Sequence, residues 1–384
     1  MKKLLFVMFV LATLILVSGC QITQQPTATQ QQTTPQPATE ETTQPDGTSS
    51  VQQQPLYAIS LTPQAKETKD ENGNLKFIYS YQTLSLVLPE PEIADKIILD
   101  YLNRMDQADQ YADSMRADSL QQENGNDIPF MYDIAYSPLR FDSAVLSMQE
   151  TAMLQTGGSH PNTYSHFYTY DLLSGSILKL SDIVFGDITV DKLENLVAGA
   201  LANTEGLIQG YEDTIHDMFK IGLEEYKYWY FSESGLCFHF DPYVLAPYAV
   251  GPVTAVLPYS QLTGILKDEY FLQERDSYNG DLIVEEFFAT AQYSYTEFAE
   301  AVLTEDGTNI LLSTEGLITD IRIEVTEIKR GVTTTVMAAQ SLTPGTALMV
   351  QFDANTTTLS VSYNSGNQIT NKLIAYSDGS LKIS

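Results

Sequence analysis

The chain has 384 residues, room for two domains with accessories, and its 43% hydrophobic share suits an ordinary globular core. It carries 49 acidic against 20 basic residues, and the resulting formal charge of -29 repels nucleic acid and favours basic partners. Two cysteines, Cys20 and Cys237, exclude a disulfide-stapled scaffold, so the fold must rely on its own apolar core.

Met1 to Cys20 reads as a leader. Lys2 and Lys3 precede the apolar run Leu4 to Val17, which is shorter than the roughly 20 residues that a membrane span needs. Leu16-Val17-Ser18-Gly19-Cys20 then sets small residues ahead of a cysteine. This tract resembles the bacterial lipoprotein leader, in which the chain is cut directly before the cysteine and the cysteine thiol carries lipid as a thioether. Removing Lys2 and Lys3 would leave 18 basic against 49 acidic residues, a charge of -31. Acyl chains on Cys20 would hold the chain at a bilayer, each buried methylene contributing about 0.8 kcal/mol. The expected location is extracytoplasmic, lipid-anchored to the bacterial cell membrane. Its bland alternative is an ordinary secretory signal that happens to hold a cysteine.

Residues 21–54 are dominated by Gln, Thr and Pro and contain no aromatic residue. Such a segment cannot bury enough apolar area to offset its ordering entropy. It is expected to act as a disordered tether reaching roughly 30 Å.

Order is expected from Pro55. Tyr57 to Leu61 reads as a strand, Asp70-Glu71-Asn72-Gly73-Asn74 as a turn, and Leu75 to Tyr79 and Leu84 to Leu88 as strands. A helix is predicted from Pro91 to about Gln121, because Ile93, Ile97, Tyr101, Met105, Ala108, Ala112 and Met115 recur at helical spacing. Phe130 to Tyr136 and Arg140 to Met153 read as strands. A Gly-rich turn, Thr156 to Asn162, leads into a strand over Tyr164 to Asp171. A tight turn at Ser174-Gly175 and a second strand over Ile177 to Leu180 follow. Asp191 to Lys220 is predicted helical, with Gly206 and Gly210 as breakers. Glu225 to Asp241 reads as a hairpin turning at Ser232 to Gly235, Val253 to Leu257 as a short strand, and Tyr259 to Leu272 as a closing helix.

From Gly280 a helix is predicted over Ile283 to Leu303. Short alternating runs at Ile321 to Val325, Ala347 to Phe352, Leu359 to Tyr363 and Leu373 to Tyr376 follow, separated by turn signals. The expected class is α+β, mixed sheets packed with helices, followed by a small all-β C-terminal domain. The expected divisions are a leader over 1–20, a tether over 21–54, an α+β module in two halves over 55–275 and a β-rich domain over 280–384.

Three tracts coincide within the module: Thr156-Gly157-Gly158-Ser159-His160-Pro161-Asn162; Tyr170-Asp171-Leu172-Leu173-Ser174-Gly175 with Leu180-Ser181-Asp182; and Asp241 to Gly251. Together they resemble the extracytoplasmic domain of RsiV-like anti-sigma factors, the lysozyme sensors. The same module precedes the catalytic domain of some peptidoglycan deacetylases. The resemblance covers about Leu56 to Gln273 and implies an α+β fold whose role is binding, with lysozyme as the ligand in the sensor branch. Two departures matter. A lipid anchor and tether stand where the sensors have a membrane span and a sigma-binding segment, so direct anti-sigma signalling is not implied. The Asp-Asp-Gly-Pro tract and paired histidines of the deacetylases are absent from the sequence, so that activity is not carried over.

The four histidines are His160, His166, His216 and His239, and no His-Glu-x-x-His tract links any of them. His160 sits in the Gly-rich turn, as a ligand-binding group or as a side chain that fixes the turn. Cys237 and His239 lie two apart on one strand face, but two ligands do not make a metal site. Glu123 to Asp127 lacks the spacing of a helix–loop–helix calcium loop. The candidate binding set is His160, Asn162, Tyr226, Tyr228, Tyr230, Tyr243 and Tyr248, since tyrosines give large contact area at low entropy cost. Core covering is the alternative use of the same rings. No catalytic residue, metal or cofactor is assigned. The expected function is a cell-surface binding module for lysozyme, another basic protein or peptidoglycan. The other readings are an enzyme acting on a glycan and a scaffolding lipoprotein.

Overall fold

The computed structural model describes residues 55–122, 128–158, 160–186, 188–221, 228–272, 280–287, 295–304, 307–329, 331–366, 368–377 and 380–384. The expected leader, Cys20, the tether and Tyr226 lie outside these.

The described residues open with a long hairpin, β1 (Ala58–Lys69) and β2 (Leu75–Val87). Its turn is tied by the Asp70 carboxylate, which accepts the amides of Asn72 and Asn74 at 2.9 and 2.8 Å. Helix α1 (Pro91–Gln121) then crosses over to β3 (Phe130–Phe141), which runs parallel to β2. A parallel pair needs such a crossover, and α1 supplies it. Pro91 at the first turn suits a helix start, where the missing N–H has no partner to lose. The predicted stripe from Ile93 to Met115 is the face that α1 buries against the sheet. Each large apolar side chain so covered contributes about 1.5–3 kcal/mol.

β4 (Val145–Gln155) and β5 (Asn162–Asp171) complete this end of the sheet as antiparallel neighbours. Next come α2 (Leu180–Ile183), α3 (Ile188–Leu201) and α4 (Tyr211–Ile221). A three-stranded sheet follows: β6 (Trp229–Ser232), β7 (Gly235–Phe240) and β8 (Val253–Pro258). Leu193, Val197 and Leu201 of α3 pack with Trp229, Phe231, Phe238 and Phe240 in a second core.

The remaining strands are β9 (Leu282–Glu286), β10 (Glu297–Val302), β11 (Thr308–Thr314), β12 (Ile318–Glu327), β13 (Thr333–Leu342), β14 (Thr346–Phe352), β15 (Thr357–Ser365), β16 (Gln368–Ser377) and β17 (Ser380–Ile383). Four of them form a sheet in the order β10-β14-β11-β9. The others join the first sheet, whose ten strands run β17-β16-β15-β12-β13-β1-β2-β3-β4-β5. The ladder Ala58↔Ala339, Ile59↔Ala338, Ser60↔Met337 carries that sheet across the expected boundary at 275–280. The start of β1, Ala58 to Leu61, is covered on both faces. Ile59 and Leu61 enter the core under α1, whereas Ala58 enters a third core with the C-terminal strands. The fold is mixed and mostly β.

Several predicted elements differ. Arg140 to Met153 is not one strand: β3 runs on to Phe141 and β4 starts at Val145. Tyr259 to Leu272 is not a helix but two single 3-10 turns, Tyr259–Gln261 and Asp268–Tyr270. Leu262, Ile265 and Leu266 have helical spacing, but Gly264 adopts φ +73 and breaks the run, and Leu266 bridges to Val184 instead. The described parts of Ile283 to Leu303 are strands. Along β10, Ala299 and Ala301 are buried and Phe298 and Val302 are exposed, a period of two. The strand expected over Ile177 to Leu180 shrinks to a single bridge, Tyr170↔Ile177, before the chain turns into α2. By contrast, Gly206 and Gly210 do separate α3 from α4, at φ +80 and +79.

Candidate functional site

Two places gather chemistry, and they share no residue. The first is an exposed aromatic stack built from the predicted residues. His160 stacks on Tyr248 with centroids 5.1 Å apart, and Tyr248 on Tyr243 at 5.7 Å. Tyr243 is 71% and Tyr248 44% exposed.

The loop from Asp241 to Gly251 explains why these rings face outward. Leu245 and Ala246 are fully buried in the second core, and the amide of Ile208 donates to Leu245 O at 2.9 Å. Tyr243 N donates to Ala246 O at 2.8 Å, which bends the chain so that Tyr243 takes φ +72. A side chain in that region costs on the order of 1–3 kcal/mol. Burying Leu245 contributes about 1.5–3 kcal/mol and holds the bend in place. The far side of the loop is braced by Gly206, where a Cβ would lie 2.7 Å from Val250 Cγ2. His160 is presented by the turn before β5, where Gln155 Nε2 donates to Gly158 O at 2.8 Å.

The other predicted residues stand apart. Asn162 is exposed at the first position of β5. Tyr230 is half-buried, stacked on Phe167 at 4.5 Å, and Tyr228 packs against the second core. No ring contact among the described residues joins either to the stack. Among the described residues no carboxylate pairs with His160. Cys237 is a free, buried thiol that burial holds above its ordinary pKa, hence neutral and inert. Its strand neighbour His239 faces Thr254 Oγ1 at 3.1 Å and Asp241 Oδ1 at 3.4 Å. Among the described residues no group of three His, Cys, Asp or Glu side chains is placed to hold a metal ion.

The second place is a cleft of about 400 Å³ between α1 and the sheet. Asp100, Asn103, Arg104 and Gln107 line it from one face of α1, at the i, i+3, i+4, i+7 spacing of a helix side. The opposite wall is set by strand register. Tyr136 pairs with Glu150 across β3 and β4, and Glu150 with His166 across β4 and β5. Directly opposed residues share a face with Cβ atoms about 5 Å apart, so the three form one row. Tyr136 donates to Glu150 Oε2 at 2.6 Å, and His166 Nδ1 lies 3.2 Å from Oε1.

Burial pushes the Glu150 carboxyl up, but the hydrogen bonds from His166 and Tyr136, with the charges of His166 and Arg104, outweigh it. The net shift is downward from the ordinary 4.5. A depressed folded pKa means that the stabilisation is complete above that ordinary value and is lost as pH falls through the lowered one. Hydrogen bonds to a charged group contribute about 1.5–3 kcal/mol, so Glu150→Gln should lose about that much at neutral pH. Its stability curve should converge on the native one in acid. Urea unfolding from pH 7 down to 3 tests this, and two parallel curves would refute it.

On the helix side, Arg104 pairs with Asp100 through Nη1 and sits 3.9 Å above the Tyr168 ring. Asp100 also accepts the Tyr170 hydroxyl at 2.7 Å. Sequence reasoning passed over Arg104, Tyr136 and Glu150 and gave His166 no role. The available signals were small: a basic residue beside the buried stripe of α1, and a lone carboxylate inside the apolar-rich strand β4.

Residues 182–260 match the model of a family described as protein of unknown function (DUF3298). That stretch includes the Asp241 loop with Tyr243 and Tyr248 but neither His160 nor the cleft. Two crystal structures of DUF3298 family proteins are similar to the chain. The one from Bacteroides fragilis NCTC 9343 is 18% identical, with a TM-score of 0.43, over 56% of this chain and 94% of that one. The one from Pseudomonas aeruginosa PAO1 is 18% identical, with a TM-score of 0.40, over 58% of this chain and 99% of that one. No curated protein sequence matches the chain.

Proposed function

We propose that the chain is a bacterial lipoprotein, held at the outer side of the cell membrane through Cys20, whose RsiV-like folded part binds a basic envelope macromolecule such as lysozyme. The observation that carries this reading is the His160–Tyr248–Tyr243 stack, kept exposed by a residue at φ +72. Strain retained at a surface residue that packs nothing inside points to a use outside the fold. Exposed rings receive Lys and Arg side chains through their faces. The charge of -29 over the whole chain, or -31 without the leader lysines, steers such a partner inward. Among the described residues no helix is long and apolar enough to cross a membrane.

The test is retention of lysozyme by the immobilised full chain at low and moderate salt. The native protein should retain it, more strongly at low salt. Tyr243→Ala combined with Tyr248→Ala should weaken binding about tenfold or more, as loss of an aromatic anchor does. No retention at either salt removes lysozyme as the ligand. Retention unaffected by the double variant removes the stack as the contact.

A further inference from the structure

We propose that the cleft between α1 and β3–β5 is a binding site for a small carboxylic acid of monosaccharide or amino-acid size, anchored by Arg104. Nothing in this depends on lysozyme or on the aromatic stack.

The argument starts from the guanidinium. Nη1 is taken by Asp100 and lies within hydrogen-bond reach of the Tyr170 hydroxyl, while Nε and Nη2 are buried and make no hydrogen bond. An unmet buried donor costs about 1–3 kcal/mol, and more when it is charged. The two free atoms are not an arbitrary pair. Together they form the side-on edge of the guanidinium, whose parallel N–H bonds match the two oxygens of a carboxylate.

The cleft's own acids are otherwise engaged. Glu150 is bonded by Tyr136 and His166, and Asp100 by Arg104 and Tyr170. The Nε–Nη2 edge of Arg104 is therefore a buried charged donor beside the cleft that still lacks an acceptor among the described residues. The rest of the wall suits the body of such a ligand. Tyr132, Tyr136 and Tyr168 line the wall, and the exposed side-chain amides of Asn103 and Gln107 make no hydrogen bond among the described residues. A cavity of about 400 Å³ holds a six-membered ring with its substituents. Admission of the carboxylate takes a small slide of the guanidinium over the Tyr168 ring, which keeps the ring contact.

The experiment follows the His166 ring and the Arg104 Nε–H by NMR on the full chain. The probes are acetate, benzoate and D-glucuronate, each paired with its neutral amide, at millimolar concentration. At least one acid should shift both signals saturably while its amide does not. Arg104→Lys keeps the charge but loses the two-donor edge, and should weaken that acid about tenfold or more; Arg104→Gln should abolish the effect.

Silence with all three acids overturns the proposal, as do equal shifts from acid and amide. Binding by Arg104→Lys as tight as native binding overturns the side-on geometry. A direct bond from Arg104 to Glu150 in the free protein, seen as a shift of the Arg104 signal in Glu150→Gln with no acid effect, would show that the edge is closed internally. Lysozyme retention is unaffected in every one of these outcomes, so failure here is distinguishable from failure of the binding-module reading.

Discussion

Arg140→Ala is expected to lower the free energy of unfolding by about 3–5 kcal/mol, the usual cost of breaking a buried ion pair from one side. The Arg140 side chain is fully buried and its partner Asp142 nearly so. Nε lies 2.6 Å from Asp142 Oδ2. Nη1 donates to the Tyr259 hydroxyl at 2.8 Å and to Tyr270 O at 2.6 Å, and Nη2 donates to Phe271 O at 3.3 Å. One side chain thus fastens the end of β3 to the irregular segment 259–271, which has no helix of its own to hold it. Asp142 keeps its bonds from the amides of Ala144 and Val145 but would carry an uncompensated charge. Urea unfolding measures the loss. Adding Asp142→Asn to Arg140→Ala should recover part of it, because the stranded charge is then gone. A loss below about 1 kcal/mol would mean that water reaches the pair and the burial argument fails.

Gly235→Ala should cost about 3 kcal/mol or more, the upper end for overpacking, because nothing near it can yield. A Cβ there would lie 2.0 Å from Leu257 O and 2.7 Å from Leu257 C, both backbone atoms of the neighbouring strand β8. Relief would require β7 and β8 to part, and β7 is the central strand of its sheet, buried along its length. Gly206→Ala is the informative comparison. It also sits at positive φ, but its added Cβ meets the Val250 side chain, 2.7 Å from Cγ2, rather than backbone. Its expected loss is about 1–2 kcal/mol, mostly backbone strain. Thermal unfolding of the two variants side by side should show the larger drop for Gly235→Ala; the reverse order would refute the close-approach argument.

What could be read from the residues followed from how local the cause was. The limits and buried face of α1 were legible because one helix carries its whole pattern from Ile93 to Met115. The hairpin at Ser232 to Gly235 was legible because turn chemistry is local. The 259–272 stretch was misread because apolar spacing alone cannot register Gly264 and because its carbonyls are claimed by Arg140, more than a hundred residues earlier. The ten-stranded sheet was illegible for the same reason: pairing between β1 and β13 leaves no local mark. At the site, Tyr243 and Tyr248 were grouped with Tyr228 and Tyr230 as one aromatic surface, but the structure stacks them with His160 and leaves Tyr230 on Phe167. The row Tyr136, Glu150, His166 depends on two strand registers at once, so no single window of sequence contains it.

The position of β1 has a consequence for how the molecule is made. Ala58, Ile59 and Ser60 wait for partners that arrive roughly 280 residues later, a closure that makes folding slow. A polypeptide emerging amino end first keeps one side of this hairpin bare until β13 has been made. Such an uncovered apolar edge recruits neighbouring chains. Fragments ending before Thr333 should therefore clump, because β1 has no β13 to close its edge.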